Sequence, residues 1–263
     1  MVRVSIITPT GNRDGYLQWQ YHNICQQTYA SWEWLILDNS EQPSAFFLSL
    51  TDPRVKYFYF PQAMTVGAKR NLLVQAASGQ VIVHFDDDDF YAAHYLAQAV
   101  ESLKTVDLVK LESWYLYAPE HDFWGYFDAD STHVWAYALH ILADRNQPID
   151  QTRRFQLDET MRWGYGFSYA YRRTLWESNP FPDRSFGEDH DWILSRLRGK
   201  GYRLLRVQDT QGLAVHLCHS ASSSHAFPQH RLTEAEVPTH LVAGCRYWQP
   251  IRLQAETAPL ALS

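Results

Sequence analysis

The stretch GAKRNLLVQAASGQVIVHFDDDD, residues 67–89, reads as a helix, a stop, a strand and an acidic run in immediate succession. Residues 67–78 have a helical pattern closed by Gly79 as the expected C-cap. Residues 80–85 are apolar nearly throughout, as in a strand covered on both faces. Working outward, VRVSIITPT (2–10) is a β-branched run ending in polar residues. A helix follows to about Thr28, with Asp14 as its expected cap and Leu17, Tyr21 and Ile24 at helical spacing. WEWLILDNS (32–40) and VKYFYF (55–60) are further strands. Strands alternating with helices predict an α/β domain around a mostly parallel, Rossmann-like sheet with helices on both sides.

The second half is less regular. DLVKLESWYLY (107–117) reads as a strand, YGFSYAYRR (165–173) alternates like one, EDHDWILSRLRGKG (188–201) is a helix with a glycine stop, and YRLLRV (202–207) is a strand. Residues 118–160 have no clean period and are expected to hold loops and short helices. Beyond residue 220 the chain reads as a Ser-rich break and a tail, 221–263.

Composition narrows the function. The formal charge of −6 argues against nucleic acid as the partner, because phosphate backbones require a basic surface. Cys25, Cys218 and Cys245 are odd in number and far apart, the pattern of free thiols in a reducing compartment. No apolar run has membrane-spanning length, so the expectation is a cytoplasmic protein without a transmembrane segment. Peripheral membrane association and a homodimer stay open. The aromatic residues Trp114, Tyr115, Tyr117, Trp124, Tyr126 and Trp135 read mainly as packing, with one or two available to stack on a sugar ring.

In an open parallel sheet, ligands sit at the carboxyl ends of the strands. Three polar signals fall there: Thr8-Pro9-Thr10, Asp38-Asn39-Ser40 and Asp86 to Asp89. Clustered carboxylates relieve their repulsion by protonation or by a hard divalent cation such as Mg²⁺ or Mn²⁺, which keeps positions open for phosphate oxygens. Taken alone, the acidic run reads as a solvated turn; beside two other polar strand ends it points to a metal–diphosphate site. On an extended chain Asp86 and Asp88 would share one face and Asp87 and Asp89 the other. Lys69 and Arg70 oppose the dipole of the helix they open, so a diphosphate is the reading favoured for Arg70, while Lys69 reads equally as a surface cation.

Three motifs in order resemble the family 2 glycosyltransferases, inverting enzymes of the GT-A fold. They are VSIITPTGNRDGYLQWQYHNICQQTYASWEWLILDNS, VGAKRNLLVQAASGQVIVHFDDDD and GYGFSYAYRRTLWESNPFPDRSFGEDHDWILSRL. The resemblance covers residues 1–220, with 1–106 as a nucleotide-sugar half and 107–220 as an acceptor half. It implies that Thr8, Pro9 and Arg13 line the nucleotide pocket, that Asp38 binds the base, and that Arg70 faces the phosphates. Asp86 would reach the ribose and Asp88 would ligate Mn²⁺ or Mg²⁺. Asp189, which opens a helix whose dipole favours a carboxylate, would be the catalytic base, with Asp191 its nearest competitor. Glu188, Trp163 and Tyr165 would border the acceptor. Family members often carry a histidine near residue 219; among His216, His219 and His225, His219 matches best as a metal or phosphate ligand, on a stretch suited to order over a bound diphosphate. The implied reaction moves a sugar from a nucleotide-diphosphate donor, most often a UDP-sugar, to a hydroxyl of a saccharide, lipid or other acceptor.

DNSEQP replaces the family's usual Asp-Gly-Ser, and Gly11 stands where an aromatic residue is common. Both departures lie on the base side. A non-catalytic nucleotide-sugar-binding subunit is the alternative, disfavoured by the Glu188-Asp189 pair. A sugar-1-phosphate nucleotidyltransferase would need more glycine after the first strand, and an aspartate phosphatase would place its acids on that strand.

Overall fold

The computed structural model describes residues 2–132, 135–137, 152–154, 157–197, 201–219, 222 and 226–246. The first half alternates as expected: β1 (Val4–Thr10), α1 (Asp14–Cys25), β2 (Trp32–Asp38), α2 (Ala45–Ser49), β3 (Val55–Tyr59), α3 (Val66–Ala76) and β4 (Val81–His84). After the acidic run come β5 (Phe90–Tyr91), α4 (Tyr95–Ser102), β6 (Leu108–Ala118) and β7 (Phe123–Asp128). The remaining elements are β8 (Trp135–Tyr137), β9 (Thr152–Arg154), α5 (Glu159–Trp163), β10 (Ala170–Arg172), α6 (Arg173–Glu177) and α7 (Glu188–Leu197). They end with β11 (Leu204–Gln208), β12 (Ala214–Leu217), β13 (His230–Leu232) and α8 (Thr239–Arg246).

The main sheet runs β13-β7-β6-β10-β4-β1-β2-β3. Its β4-β1-β2-β3 half is parallel, and β10 reverses direction against both β4 and β6. β6 is buried along its whole length because it is shared: β10 and β11 pair its first part, β7 and β12 its second. The continuous apolar character of β2 follows from burial on both faces. One core cluster forms around Ile6, Trp34 and Phe85, and another around Ile7, Leu37 and Trp192.

Glu33 is the exception within β2, a fully buried carboxylate. It accepts hydrogen bonds from Ser5 Oγ at 2.6 Å and Ser78 N at 2.6 Å, and pairs with Lys56 at 2.8 Å. Burial opposes its charge, but these partners outweigh that effect and hold it down at about 2. A folded-state value depressed from 4.5 contributes stability that is complete above the unfolded value and lost as pH falls toward 2. A shift of that size corresponds to roughly 3 kcal/mol. Glu33→Gln should therefore lower the unfolding temperature at pH 7, and the gap from the parent should close as thermal melts are repeated toward pH 2.

Several expectations are corrected. Arg13, not Asp14, is the N-cap of α1; Asp14 is its first residue and accepts from Gln18. Helix α3 is capped at Ala77, and Gly79 serves close approach instead: a Cβ there would lie 2.6 Å from Ser5 Oγ and 2.7 Å from Arg3 O. Only Ala170–Arg172 of the alternating 165–173 stretch is a strand, because residues 166–168 coil into a 3₁₀ turn. The described part of the 221–263 tail lies on the domain: β13 extends the sheet beside β7, and Leu241, Val242 and Cys245 of α8 pack with Trp19 and Val215. Residues 118–160 contain β7, paired in a hairpin with β6. Of the six aromatic residues weighed as an acceptor platform, Trp114, Tyr115, Tyr117 and Trp124 are buried as packing, in line with the reading of the sequence, while Tyr126 is half-buried and Trp135 is exposed. Among the described residues, no helix is long and apolar enough to cross a membrane.

Candidate active site

The carboxyl ends of β1, β2 and β4 open into a cavity of about 710 Å³. Pro9, Thr10, Arg13, Asn39, Lys69 and the Asp86–Asp88 run line it from the first half of the chain. Tyr165, Gly166, Phe186 and Glu188-Asp189 line it from the second.

The four aspartates do not alternate, because the chain turns at Asp87-Asp88 instead of remaining extended. Asp87 Oδ1 and Asp88 Oδ2 both accept from Arg13 Nη1, at 2.9 and 2.5 Å. Thr10 Oγ1 donates to the other oxygen of Asp87. Asp88 Oδ2 also lies 3.1 Å from His219 Nε2. Burial alone would raise Asp88, but the hydrogen bond with His219 and the charge of Arg13 more than reverse that, placing it below the usual carboxylate range. Asp89 is fully buried and meets His216 Nδ1 at 2.9 Å. Burial would lower His216, yet the charge of Asp89 and its hydrogen bond push it up to about 9. Its Nε2 is buried without a hydrogen-bond partner among the described residues, and the side chain lines the cavity. Asp86 is the most open of the four, with 32% side-chain exposure.

Arg70 is buried as a strut between the two walls. Its guanidinium pairs with Glu188 Oε1 and stands 3.8 Å from Asp86 Oδ1. It therefore borders the cavity with its charge already engaged, and Glu188 is its partner more than an open acceptor-side group. Asp189 lies at the start of α7. Its Oδ2 accepts from Gly166 N at 2.6 Å and its Oδ1 from His190 N at 2.7 Å, which sets the carboxylate in one orientation. A Cβ on Gly166 would come within 2.8 Å of Asp189 Cβ, so only glycine permits this approach. Asp191 is instead paired with Arg184 at 2.6 Å.

Three expected positions lie elsewhere. Thr8 is fully buried, donating to Phe85 O and accepting from Trp34 Nε1. It sits two residues too deep in β1, and Thr10 takes the cavity position. Asp38 spends one oxygen on its own turn, accepting from Ser40, and the other on β3, accepting from Tyr57 Oη at 2.6 Å; Asn39 lines the cavity next to it. Trp163 packs beneath Arg206, whose guanidinium is 5.0 Å from the ring, while Gly164 and Tyr165 line the cavity. Pro9, Arg13, Asp86, Asp88, Tyr165, Glu188 and Asp189 are brought together. His219 stands against Asp88, its ring stacked on Tyr16 at 4.8 Å. His225 and most of its Ser-rich stretch fall outside the described residues.

In the sequence Thr10 and Asn39 stand only as members of polar strand ends and His216 only as an alternative to His219, while Lys69 reads equally as a surface cation. Lys69 is buried, and its Nζ donates to Thr10 O at 2.7 Å and Asn39 Oδ1 at 2.5 Å. The signal for Thr10 and Asn39 was their place as the outermost polar residues of their strand ends.

Asp88 and His219 are the two positions that the resemblance gives to a divalent cation, and the structure brings them to 3.1 Å of one another. The carboxylate and the imidazole meet at the acidic turn, a hard oxygen beside a nitrogen donor. Among the described residues no cluster of three or more His, Cys, Asp or Glu side chains forms a closed metal cage. Two protein ligands would leave positions for phosphate oxygens, as Mg²⁺ and Mn²⁺ sites commonly do.

A sequence model of glycosyl transferase family 2 matches residues 5–178. The chain belongs to this family. Its fold is the GT-A fold. Among relatives of this family 2 chain is the UDP-Glc:alpha-D-GlcNAc-diphosphoundecaprenol beta-1,3-glucosyltransferase WfgD of Escherichia coli. It is 30% identical over 102 residues, which cover 38% of this chain and 40% of that protein. The chain thus matches only about two fifths of that relative's length. The S. aureus TarS structure in complex with UDP-GlcNAc superposes with a TM-score of 0.61 and 16% identity, covering 98% of this chain and 68% of that one. The mannosyltransferase PcManGT from Pyrobaculum calidifontis, in complex with GDP-Man and Mn²⁺, gives a TM-score of 0.56 and 21% identity over 82% of this chain and 56% of that one.

Proposed function

We propose that this family 2 protein transfers a sugar, with inversion, from a nucleotide-diphosphate donor to an acceptor hydroxyl, with a UDP-sugar as donor. The observation that supports it most is that Asp189 and the Asp86–Asp88 run, about a hundred residues apart in sequence, line one cavity. The acceptor is a saccharide or a lipid-linked saccharide, and the setting is cytoplasmic glycan assembly, in keeping with the diphosphoundecaprenol-linked acceptor in the name of WfgD.

The proposed step is a displacement at the anomeric carbon. Asp189 takes the proton of the acceptor hydroxyl as that oxygen forms its bond to the sugar. The bond between the sugar and the diphosphate oxygen breaks, and the diphosphate leaves with the electron pair. Asp88 and His219 would hold a divalent cation, which would supply charge neutralisation for that leaving group. His216, held by Asp89 through Nδ1 and with Nε2 left without a partner among the described residues, offers a ring N–H in the same cavity. Arg13 and Lys69 keep the acidic turn and the β1 and β2 ends in place. A non-catalytic subunit would not need Asp189 aligned by two main-chain amides inside the cavity.

A thermal-shift panel of nucleotide sugars with and without Mn²⁺ tests donor and metal together. At a hundredfold excess over Kd the ligand adds about 2.7 kcal/mol. For a chain of this size that raises the melting temperature by roughly 5–10 °C. UDP-sugars should give the largest shift, Mn²⁺ should increase it, and Asp88→Asn should erase the increase. A panel in which no UDP compound stabilises the protein would refute the donor assignment.

A further inference from the structure

The end of α5 and the turn that follows it, residues 162–166, bring Gly164, Tyr165 and Gly166 to the cavity, and the main chain of this segment is held by side chains from elsewhere in the fold. Lys110 Nζ donates to Arg162 O at 2.7 Å and to Gly164 O at 3.2 Å. Tyr169 Oη donates to Trp163 O at 2.5 Å, and His84 Nδ1 donates to Gly166 O at 2.8 Å. Between them Tyr165 has φ 62° and ψ 57°, the left-handed region, which is unfavourable for a residue with a side chain. The same segment then delivers the Gly166 N–H to Asp189 Oδ2.

Lys110 is the unusual member. It projects from β6 with 0% exposure. Burial pushes its ammonium down to about 7, with Asp189 and Glu112 favouring the charge and Arg206 opposing it. A lysine placed this way weakens the fold unless its donors are well used, and methionine of similar length would pack there without the desolvation cost. The hydrogen bonds it makes are both to the segment that carries the Asp189 contact.

We propose that Lys110 is a positioning residue for transfer: by clamping the Arg162 and Gly164 carbonyls it fixes the 162–166 segment so that the Gly166 amide aims the Asp189 carboxylate at the acceptor hydroxyl. The proposal rests on Asp189 as the base. Lys110 itself touches no substrate, so its removal should spare donor binding and act on transfer.

The test uses the full chain with Lys110→Met and Lys110→Gln, the latter keeping one amide donor group without charge. Three readings are taken: hydrogen exchange of peptides spanning 162–168, UDP affinity, and the kcat and KM of transfer. Faster exchange confined to 162–168 is expected in Lys110→Met, with UDP affinity unchanged. Transfer kcat should fall by about tenfold or more, since small misplacements of a reacting group have effects of that order. Lys110→Gln should fall between the parent and Lys110→Met. A merely structural lysine would instead lower the melting temperature and UDP affinity together. Parent-like kcat and KM in Lys110→Met, or unchanged exchange across 162–168, overturns the proposal. If Lys110→Met does not fold, the same readings on Lys110→Gln decide. An active Asp189→Asn enzyme would remove the base assignment, whereas the exchange measurement judges the clamp independently of it.

Discussion

Asp189→Asn is expected to abolish most transfer while leaving UDP binding at the level of the parent protein. Removing a positioned general base costs about 10²–10⁴ in rate. The carboxylate makes its hydrogen bonds to Gly166 and His190 and none to the acidic turn among the described residues, so the substitution leaves the contacts of that turn in place. Asparagine has the same shape but only one oxygen to receive the two amides that now meet Asp189, from Gly166 and His190. One of those N–H groups loses its acceptor, which costs about 1–3 kcal/mol. The variant should therefore melt a few degrees lower and still bind UDP, a combination that separates loss of the base from loss of the fold. Initial rates with radiolabelled donor, alongside calorimetric UDP titration, measure both. Asp191→Asn serves as the contrast, because Asp191 is paired with Arg184 outside the cavity lining and should keep most activity. If Asp189→Asn transfers at the parental rate, the base is Asp191 or Glu188.

Arg70→Met should produce the largest loss of stability at the site. The guanidinium is buried and its charge answers Glu188, which is also buried, and Asp86. Taking away one partner of a buried pair leaves an uncompensated charge, at a cost of about 3–5 kcal/mol. In a domain of this size that corresponds to a drop of roughly 6–20 °C. Replacing both partners by apolar residues removes the stranded charge, so Arg70→Met combined with Glu188→Met should regain much of the lost stability. It should not regain transfer, because the strut joining Asp86 to the Asp189 wall is gone. Chemical denaturation of the two single variants and the double variant gives the coupling energy directly. A single-variant loss below about 1 kcal/mol, the range of exposed pairs, would mean the strut is not holding the walls.

The first half of the fold was legible because each element is local. β1, β2, β3 and β4 are apolar over their own lengths, and the helices between them follow a short-range period. The convergence of three polar strand ends followed from that alternation, since parallel strands in one sheet point their carboxyl ends the same way. The second half resisted because β6 is shared by four partners and is buried throughout, so no period marks its faces. Lys110 went unremarked for the same reason: within DLVKLESWYLY it looks like the polar position of an alternating strand.

The acidic run shows the division most clearly. Its composition and its place after a buried strand sufficed to predict a cation-seeking site at the sheet edge. Which carboxylate does what was decided by residues remote in sequence: Arg13 on Asp87 and Asp88, His216 on Asp89, His219 on Asp88 and Arg70 beside Asp86. The turn at Asp87-Asp88 replaced the expected two-face alternation because those long-range charges draw adjacent side chains to the same partner. Sequence by itself determined the α/β architecture, the family and the edge of the sheet where the chemistry gathers, since these depend on local periodicity and chain order. Tertiary structure alone decided that Thr8 and Asp38 turn inward, that Arg70 spans the cavity and that Asp189 is aimed by Gly166. Burial and charge pairing are properties of neighbours in space, and those neighbours are supplied by distant parts of the chain.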